Sequence, residues 1–273
     1  MHNTTLVFTA MVLLGVATAS SADLILSTDS TATLGGLSFS DGDLVGYDPA
    51  TGIASILLNG DLFSGGEDNI DAAHLMADGH YVLSTTGDST LGGLSFGKGD
   101  LVEYDPIADT ATLLFDNTLF SAAEDIDAVY VRDNGNIVMS TVGAAQLGGL
   151  LFGDGDLIEY NPTAGTASLL FDENLFSGNE DIEAVHILDD GHILLSTTNN
   201  ATLGGLSFGK SDVAEYDPVS GTASLYFSGD TFSSINPNIN ALSSTIVSES
   251  GAIVLLSLGG LGLLFRHRFR KIT

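Results

Sequence analysis

Short apolar segments alternate with polar turns along most of the chain, and the same order of segments recurs. The apolar segments are five to seven residues long and rich in Val, Ile, Leu, Tyr and Thr. Segments of this length and composition predict β-strands rather than helices. We name them A to D in the order in which they recur. Examples are A at 70–76 (IDAAHLM), B at 80–86 (HYVLSTT), C at 99–105 (GDLVEYD) and D at 111–115 (ATLLF).

A glycine motif gives the period of this pattern. The sequence Leu-Gly-Gly-Leu begins at Leu34, Leu91, Leu147 and Leu203, so successive copies are 57, 56 and 56 residues apart. A period this regular indicates a supersecondary unit that is present four times. Four antiparallel strands in about 56 residues are typical of one β-propeller blade.

The residues between the segments favour turns. Between A and B stand dipeptides in which both residues tolerate positive φ, as tight hairpins require: Asp78-Gly79, Asn134-Gly135 and Asp190-Gly191. Between C and D, an Asp-Pro or Asn-Pro pair presets the turn. The Leu-Gly-Gly-Leu motif joins B to C, where its glycines allow a bulge or a close approach of the backbone.

The phase of the repeat predicts a closed ring. The repeats begin with a segment B at 23–28 (DLILST) and end with an additional segment A, because residues 232–242 align without a gap on residues 63–73. Such a chain can complete its first blade with strands from both of its ends. We therefore predict an all-β fold, a small closed β-propeller of four four-stranded blades, flanked by an N-terminal signal helix and a C-terminal hydrophobic helix. An irregular β-solenoid and a sandwich are the alternatives.

Two apolar runs outside the repeats divide the chain into three parts. Residues 4–19 resemble a secretory signal peptide with cleavage after Ala19 or Ala22. We assign residues 1–22 to the signal peptide, 23–247 to the four-repeat propeller domain and 248–273 to a hydrophobic tail. The tail's apolar run, Ala252 to Phe265, reaches only about 21 Å as a helix, against about 30 Å for the hydrocarbon core of a membrane. A transient anchor suits it better than a permanent one.

The order of parts in the tail resembles the PEP-CTERM sorting signal of Gram-negative bacteria. Three polar residues precede the apolar run: Ser248, Glu249 and Ser250. Three arginines follow it: Arg266, Arg268 and Arg270. The family motif is Pro-Glu-Pro, so Glu249 matches and the prolines are missing.

The resemblance implies how the protein is handled by the cell. It implies an exosortase-type processing enzyme as a partner, membrane contact through the C-terminal helix, and export to the cell envelope, the outer surface or the medium. Positive charge after the apolar run predicts a cytoplasmic C-terminus, with the repeats outside.

The charge of the chain excludes nucleic acid as a partner. Seven Lys and Arg residues face 35 Asp and Glu residues, and only Lys98, Arg132 and Lys210 are basic between positions 23 and 248. Phosphate binding needs clustered basic residues. So dense a negative field attracts cations, although a solvated, salt-tolerant surface is the alternative. The absence of cysteine excludes disulfides, thiol catalysis and Cys-containing zinc sites.

The acids in and before segment A are candidate metal ligands. If segment A is the innermost strand of each blade, one residue from each repeat forms a ring of oxygens at one mouth of the channel: Asp71, Asp127, Glu183 and Asn240. The preceding loops add further acids: Glu67, Asp68, Glu124, Asp125, Glu180 and Asp181. Hard oxygen ligands at this density suit Ca²⁺ or Mg²⁺, and Ca²⁺ is the cofactor that we predict. The alternative is that these acids cap turns and face water.

Two other sets of residues give weaker signals. The aspartates before segment C, such as Asp100, lack the remaining ligands of an EF-hand, so hairpin turns alone would explain them. His74 and His186 occupy one repeat position, and His80 and His192 another. We expect all four to be half-exposed strand residues, because opposite blades and strand ends would keep the members of a zinc cluster apart.

These patterns predict a protein without catalytic residues. No nucleophile elbow, P-loop, dinucleotide fingerprint or zincin motif occurs. The polar positions copy from repeat to repeat, whereas an enzyme usually breaks symmetry at its site. We expect a non-enzymatic, exported cell-surface or extracellular-matrix protein, stabilised by Ca²⁺, with an exopolysaccharide or a surface protein as the candidate partner. The family resemblance implies a binding or structural role linked to exopolysaccharide or biofilm. The alternative is a metal-dependent propeller hydrolase or lyase with its ion in the axial channel.

Overall fold

The regular structure is almost entirely β-strand in the computed structural model, which describes residues 22–65, 69–178, 180–233 and 236–246. The first repeat forms β1 (Ala22–Thr28), β2 (Ala32–Leu34), β3 (Leu37–Phe39), β4 (Leu44–Asp48) and β5 (Ile53–Leu58). The second forms β6 (Ile70–Leu75), β7 (Tyr81–Thr85), β8 (Ser89–Leu91), β9 (Leu94–Phe96), β10 (Leu101–Asp105) and β11 (Thr110–Phe115).

The remaining repeats follow the same order. The third forms β12 (Ile126–Val131), β13 (Ile137–Thr141), β14 (Ala145–Leu147), β15 (Leu150–Phe152), β16 (Leu157–Asn161) and β17 (Thr166–Phe171). The fourth forms β18 (Ile182–Ile187), β19 (Ile193–Thr197), β20 (Ala201–Leu203), β21 (Leu206–Phe208), β22 (Val213–Asp217) and β23 (Thr222–Phe227), and β24 (Ile239–Ile246) ends the domain. A 3₁₀ turn follows segment D in each repeat: Gly60–Leu62, Asn117–Leu119, Glu173–Leu175 and Gly229–Thr231.

The predictions for the two ends of the chain fall outside these ranges. Apart from Ala22, the signal peptide lies outside the described residues, and so do the whole tail, both terminal helices and the six sorting residues. Within the described ranges, no helix is long and apolar enough to cross a membrane.

Each repeat supplies one blade, with segment A innermost and segment D outermost. The strand orders are β6-β7-β10-β11, β12-β13-β16-β17 and β18-β19-β22-β23, and the remaining sheet has the order β24-β1-β4-β5. The four segment A strands, β6, β12, β18 and β24, each contact the next around a central axis. This confirms the all-β, four-bladed propeller and excludes the solenoid and the sandwich.

The first blade is closed by both ends of the domain, as the phase of the repeat predicted. Strand β24 pairs antiparallel with β1, and the register runs from Ala22 opposite Ile246 to Thr28 opposite Ile239. The last segment A therefore provides the innermost strand of the blade whose second strand is the first segment B. Because the ladder leaves no open inner edge, the four blades form a ring rather than an open stack.

Aromatic side chains lock neighbouring blades together. Phe115 at the end of β11 packs edge-to-face on Tyr160 of the next blade, with ring centroids 5.7 Å apart, and on Phe120 at 5.3 Å. Equivalent contacts join the third blade to the fourth and the fourth to the first. Each such pair contributes about 0.5–1.5 kcal/mol beyond the burial of its area. The segment D phenylalanine and the segment C tyrosine are thus an inter-blade joint.

The Leu-Gly-Gly-Leu motif forms the tip of a small hairpin between segments B and C. In the second repeat this hairpin is β8-β9, and Gly92 and Gly93 have φ values of 55° and 81°. A Cβ on Gly92 would lie 2.6 Å from the backbone nitrogen of Ala111. Only glycine therefore allows the hairpin to pack this closely on the outer strand, which is the close approach that the sequence favoured.

The aspartates at the start of segment C have a structural role. Asp100 Oδ2 accepts a hydrogen bond from Gly97 N (2.8 Å), and its Oδ1 accepts one from Asn117 N (2.9 Å). Asp43, Asp156 and Asp212 accept the same two kinds of bond in their own repeats. Each of these carboxylates connects the loop that leads into segment C with the 3₁₀ turn after segment D. Their role is therefore to stabilise turns.

Replacing Asp100 by Asn should destabilise the second blade. The amide NH₂ would face one of the two backbone N–H groups, so that this N–H group would have no acceptor. We expect the free energy of unfolding to decrease by about 1–3 kcal/mol. Chemical denaturation would measure the loss, with Asp230→Asn, which is exposed, as the matched charge-removal control. Equal midpoints for the two variants would contradict the structural role.

A disulfide across the closing ladder should stabilise the propeller. Asp23 and Thr245 are directly opposite in the register of β1 and β24, and the chain contains no competing cysteine. The pair Asp23→Cys and Thr245→Cys would close a loop of about 220 residues, for which about 2–5 kcal/mol is expected. Unfolding curves of the oxidised and reduced double variant provide the comparison. If the two cysteines do not crosslink under oxidising conditions, the closure is wrong.

Candidate functional site

A β-bulge in every segment A strand places the predicted ring residues. Ile70 is opposite Thr85 and Ala72 is opposite Ser84, so Asp71 between them has no partner in the ladder. The same register shift occurs at Asp127, Glu183 and Asn240. A bulge leaves the extra residue unpaired and redirects its side chain. We call these four residues, Asp71, Asp127, Glu183 and Asn240, the axial acid ring.

Three members of the axial acid ring are buried and have oxygens without hydrogen-bond partners, whereas Glu183 has the Asn238 side chain as a partner. Asp71, Asp127 and Asn240 are 6%, 3% and 4% exposed, and Glu183 is half-buried. Both carboxylate oxygens of Asp71 and Asp127 accept no hydrogen bond, and neither does Asn240 Oδ1. Buried polar groups are nearly always paired, so these oxygens indicate a site for a positively charged ligand.

The ionisation of the ring reflects this burial. Desolvation raises the pKa of Asp127 well above its ordinary value, and the neighbouring charges of Asp181, Glu183 and Asp71 raise it further. Desolvation also raises the pKa of Asp71 strongly, with added repulsion from Asp125 and Glu183. Asp71 and Glu183 come from opposite blades, so their mutual repulsion acts across the axis.

Two loop acids belong to the same electrostatic cluster. Burial raises the pKa of Asp181 to about 7, with repulsion from Glu183 as the next cause. Burial raises the pKa of Glu183 to about 7 as well, and that of Asp125 to about 6. Lys98 Nζ lies 3.8 Å from Asp125 Oδ2 and opposes the rise at Asp125.

The structure does not bring all the predicted ligands to the axis. Glu124 accepts a hydrogen bond from Asp125 N, its own neighbour (3.2 Å), and Glu180 lines a cavity on the side of the fourth repeat. Glu67 and Asp68 lie outside the described residues. The cluster at the axis therefore consists of the axial acid ring with Asp125 and Asp181.

The ligand chemistry of this cluster suits a hard divalent cation. Carboxylate and amide oxygens are the groups that Ca²⁺ binds, at about 2.3–2.6 Å. In the described part of the chain, the one set of three His or acid groups with ligand atoms within 4.8 Å of one another is Asp78, His80 and Glu103, away from the axis. The ring acids do not meet this spacing in the described residues.

The histidines behave differently from the expectation. His80 and His192 are half-exposed, as predicted, and their Nδ1 atoms lie 2.7 Å from Oε1 of Glu103 and Glu215. His74 and His186 are buried, and their ring centroids are 6.0 Å apart across the axis. The prediction that opposite blades keep these two apart was wrong, because innermost strands of a four-bladed ring face each other at short range.

Two cavities open beside the small hairpins. The cavity of the fourth repeat has a volume of 470 Å³, and its lining includes Glu180, Asn200, Thr202 and Ser207. The equivalent cavity of the second repeat has 410 Å³, with Asp88, Thr90, Ser95 and Asp100 in its lining. In both, a threonine and a serine hydroxyl hydrogen-bond to each other across the hairpin, at 2.8 to 2.9 Å. Repetition of these positions was visible in the sequence, but the open depressions that they line were not.

Comparison with known proteins finds structural neighbours of low sequence identity. No family model and no curated protein matches the chain. A protein of unknown function from Bacteroides caccae is similar over 75% of this chain and 57% of its own, with 10% identity and a TM-score of 0.29. An auxiliary nutrient binding protein from Bacteroides thetaiotaomicron is similar over 74% of this chain and 49% of its own, with 9% identity and a TM-score of 0.36. The chain thus spans about half the length of these two proteins.

The raised pKa values predict how the stability of the metal-free protein depends on pH. An acid with a raised pKa binds more protons in the folded state than in the unfolded state, so the free energy of unfolding falls as the pH rises. For Asp181 and Glu183 this window extends from about 4, the ordinary range, to about 7. In the presence of chelator, the urea concentration at the unfolding midpoint should decrease as the pH is raised from 5 to 8.

The variant Asp127→Asn should flatten this dependence. It removes a buried charge that repels three neighbours, so at pH 8 in chelator it should be more stable than the wild type. The exposed Asp61→Asn should leave the profile unchanged. A wild-type midpoint that rises steadily to pH 8 would contradict the electrostatics described for the axis.

Proposed function

We propose that this protein is an exported, non-enzymatic β-propeller that binds Ca²⁺ at the axial acid ring and serves a binding role at the cell surface or in the extracellular matrix. The observation that carries the proposal is that four equivalent bulges bring an acid or amide side chain to the axis, and that the oxygens of three of them, Asp71, Asp127 and Asn240, are buried without hydrogen-bond partners. Bulges that redirect one side chain per blade towards a common axis create a site that no single repeat contains.

The energetics favour occupation by a cation. Burying several like charges without partners destabilises the fold, since each charge loses its hydration and repels the others. A divalent cation supplies the missing partner, and its binding to the native state alone stabilises that state by mass action. Calcium suits the site better than Mg²⁺ because it tolerates irregular oxygen geometry and six to eight ligands.

The repeated polar residues support a binding role rather than catalysis. The segment C aspartates tie turns together, and the Ser-Thr pairs at the ends of segment B hydrogen-bond to backbone carbonyls, as Ser140 and Thr141 do. The aspartate and the threonine therefore have a structural role in every blade, and the serine has one in three of the four. The tail's resemblance to the PEP-CTERM signal supports export and processing by an exosortase-type enzyme.

The hairpin cavities are the part of the surface that suits a polysaccharide. Their linings combine hydroxyl, amide and carboxylate groups, which match the donors and acceptors of sugar rings. Two equivalent cavities on one ring would bind one polymer at two points, and multivalency strengthens weak contacts. We therefore propose exopolysaccharide as the ligand class.

Calcium titration tests the axial site. Addition of Ca²⁺ to the chelator-treated protein should raise the free energy of unfolding, by about 2.7 kcal/mol when the free ion reaches 100 times its dissociation constant. Asp71→Asn and Asp127→Asn should abolish most of this response, and Asp61→Asn should retain it. Asp127→Asn would thus be more stable than the wild type in chelator and less stable in Ca²⁺.

Two results would overturn the proposal. Identical melting curves in chelator and in Ca²⁺ would show that no ion is bound in the native state. If a polysaccharide substrate is cleaved, and Asp71→Asn abolishes turnover without changing the melting temperature, the axial-channel hydrolase or lyase replaces the structural calcium site.

A further inference from the structure

A second ring of side chains lies three residues further along the segment A strands. Its members are His74, Tyr130, His186 and Ser243, one from each blade. The ring centroids of His74 and Tyr130 are 4.6 Å apart, those of Tyr130 and His186 are 5.2 Å apart, and those of the two histidines are 6.0 Å apart. Two imidazoles from opposite blades therefore meet at the axis, with a phenol ring against both.

Each imidazole has a buried nitrogen without a partner. His74 and His186 are 6% and 8% exposed, and Nδ1 of each makes no hydrogen bond. The His74 ring has the backbone of Val131 as a hydrogen-bond partner. A neutral imidazole has a lone pair on the nitrogen that carries no proton, and metal-binding histidines commonly donate their other N–H to a backbone carbonyl or a carboxylate.

Both imidazoles are in the form that binds metals. Burial lowers the pKa of His74 to about 3, with repulsion from His186 as the next cause, and burial lowers the pKa of His186 to about 4. Both rings are therefore neutral at physiological pH. Each neutral ring has one nitrogen without a proton, which can bind an ion directly.

We propose that His74 and His186 together bind one late first-row transition-metal ion, of which Zn²⁺ is the test case, on the axis of the propeller. Two nitrogens bound to one Zn²⁺ at about 2.0–2.1 Å each are at most about 4 Å apart, and each lies about 1 Å from its ring centroid. The 6.0 Å between the two centroids matches this arrangement. Water completes the coordination.

The surroundings of the imidazole pair attract a cation. Three charges act on Tyr130 at the same end of the axis: Arg132, which repels a cation, and the exposed Asp133 and Asp189, which attract one. In a chain with a net charge of −28 the potential at this mouth favours cations generally. Selection then depends on the ligands, because imidazole suits zinc, copper and nickel whereas oxygen ligands suit calcium and magnesium.

The exposed histidines are a rival site and also the matched control. His80 lies with Asp78 and Glu103, and these three could hold an ion, but His80 Nδ1 is already 2.7 Å from Glu103 Oε1. His192 repeats this arrangement in the fourth blade with Glu215. The two pairs occupy equivalent blades, so variants of one pair control for the other.

Calorimetry of the full-length chain with Zn²⁺, in the presence of Ca²⁺, tests the proposal. One Zn²⁺ per chain should bind. His74→Ala and His186→Ala should each weaken Zn²⁺ binding by at least about 10- to 100-fold, since loss of an outer-shell partner of a metal ligand already costs that much. His80→Ala and His192→Ala should leave the affinity unchanged. Co²⁺ should give a visible absorption spectrum that disappears in His74→Ala.

Nitrogen NMR of the wild type provides a readout that does not depend on how the variants fold. Zn²⁺ should shift the side-chain nitrogen resonances of His74 and His186, whose rings remain neutral at pH 6. The resonances of His80 and His192 should not change. The proposal is overturned if the wild type does not bind Zn²⁺, if binding is lost in His80→Ala and kept in His74→Ala, or if only the exposed histidines respond. Because Ca²⁺ is present throughout, failure here leaves the axial acid ring untouched.

Discussion

The antiparallel pairing of β1 with β24 is the constraint on which the rest of this structure depends. The pairing joins residues more than two hundred positions apart in sequence, and it completes the first blade with strands from both ends of the domain. Closure brings the four innermost strands within contact of one another around an axis. Without it the bulged acids and the buried histidines would lie along the inner edge of an open stack, where water could solvate them.

Closure also explains why the inner strands carry features that would destabilise an isolated blade. A bulge removes ladder hydrogen bonds, and an acid without a partner loses hydration when it is buried. Both occur at the same residue in two blades, at Asp71 and Asp127, whereas the other two bulges carry the half-buried Glu183 and the amide Asn240. Aromatic joints between the blades, such as Phe115 on Tyr160, and the buried cores provide compensating stability. The fold thus supports a strained axis with a well-packed periphery, as functional sites commonly require.

The two ends of the axis differ in chemistry although they are built from the same strands. Three residues separate Asp71 from His74, which is about 10 Å along a strand. One end presents hard oxygen atoms and the other presents neutral imidazole nitrogens, so two classes of cation could be bound independently. The first blade, whose innermost strand β24 has Asn240 and Ser243 at these two positions, carries no charge at either end. The departure from exact repetition falls on the strand that closes the ring.

The sequence by itself determined the strands, the period and the closed ring, because two-residue alternation, Asp-Gly and Asp-Pro turns and the phase of segments A and B are local signals. It also named the axial acids, since they recur once per repeat. Only the tertiary structure decided that these acids are bulged, since a one-residue register shift depends on pairing with the neighbouring strand. It also placed Glu124 and Glu180 outside the cluster at the axis. It brought His74 against His186, because the distance across a ring depends on the number of blades and on how tightly they pack. The cavities beside the hairpins were likewise invisible in sequence, because an open depression depends on how one surface packs against another.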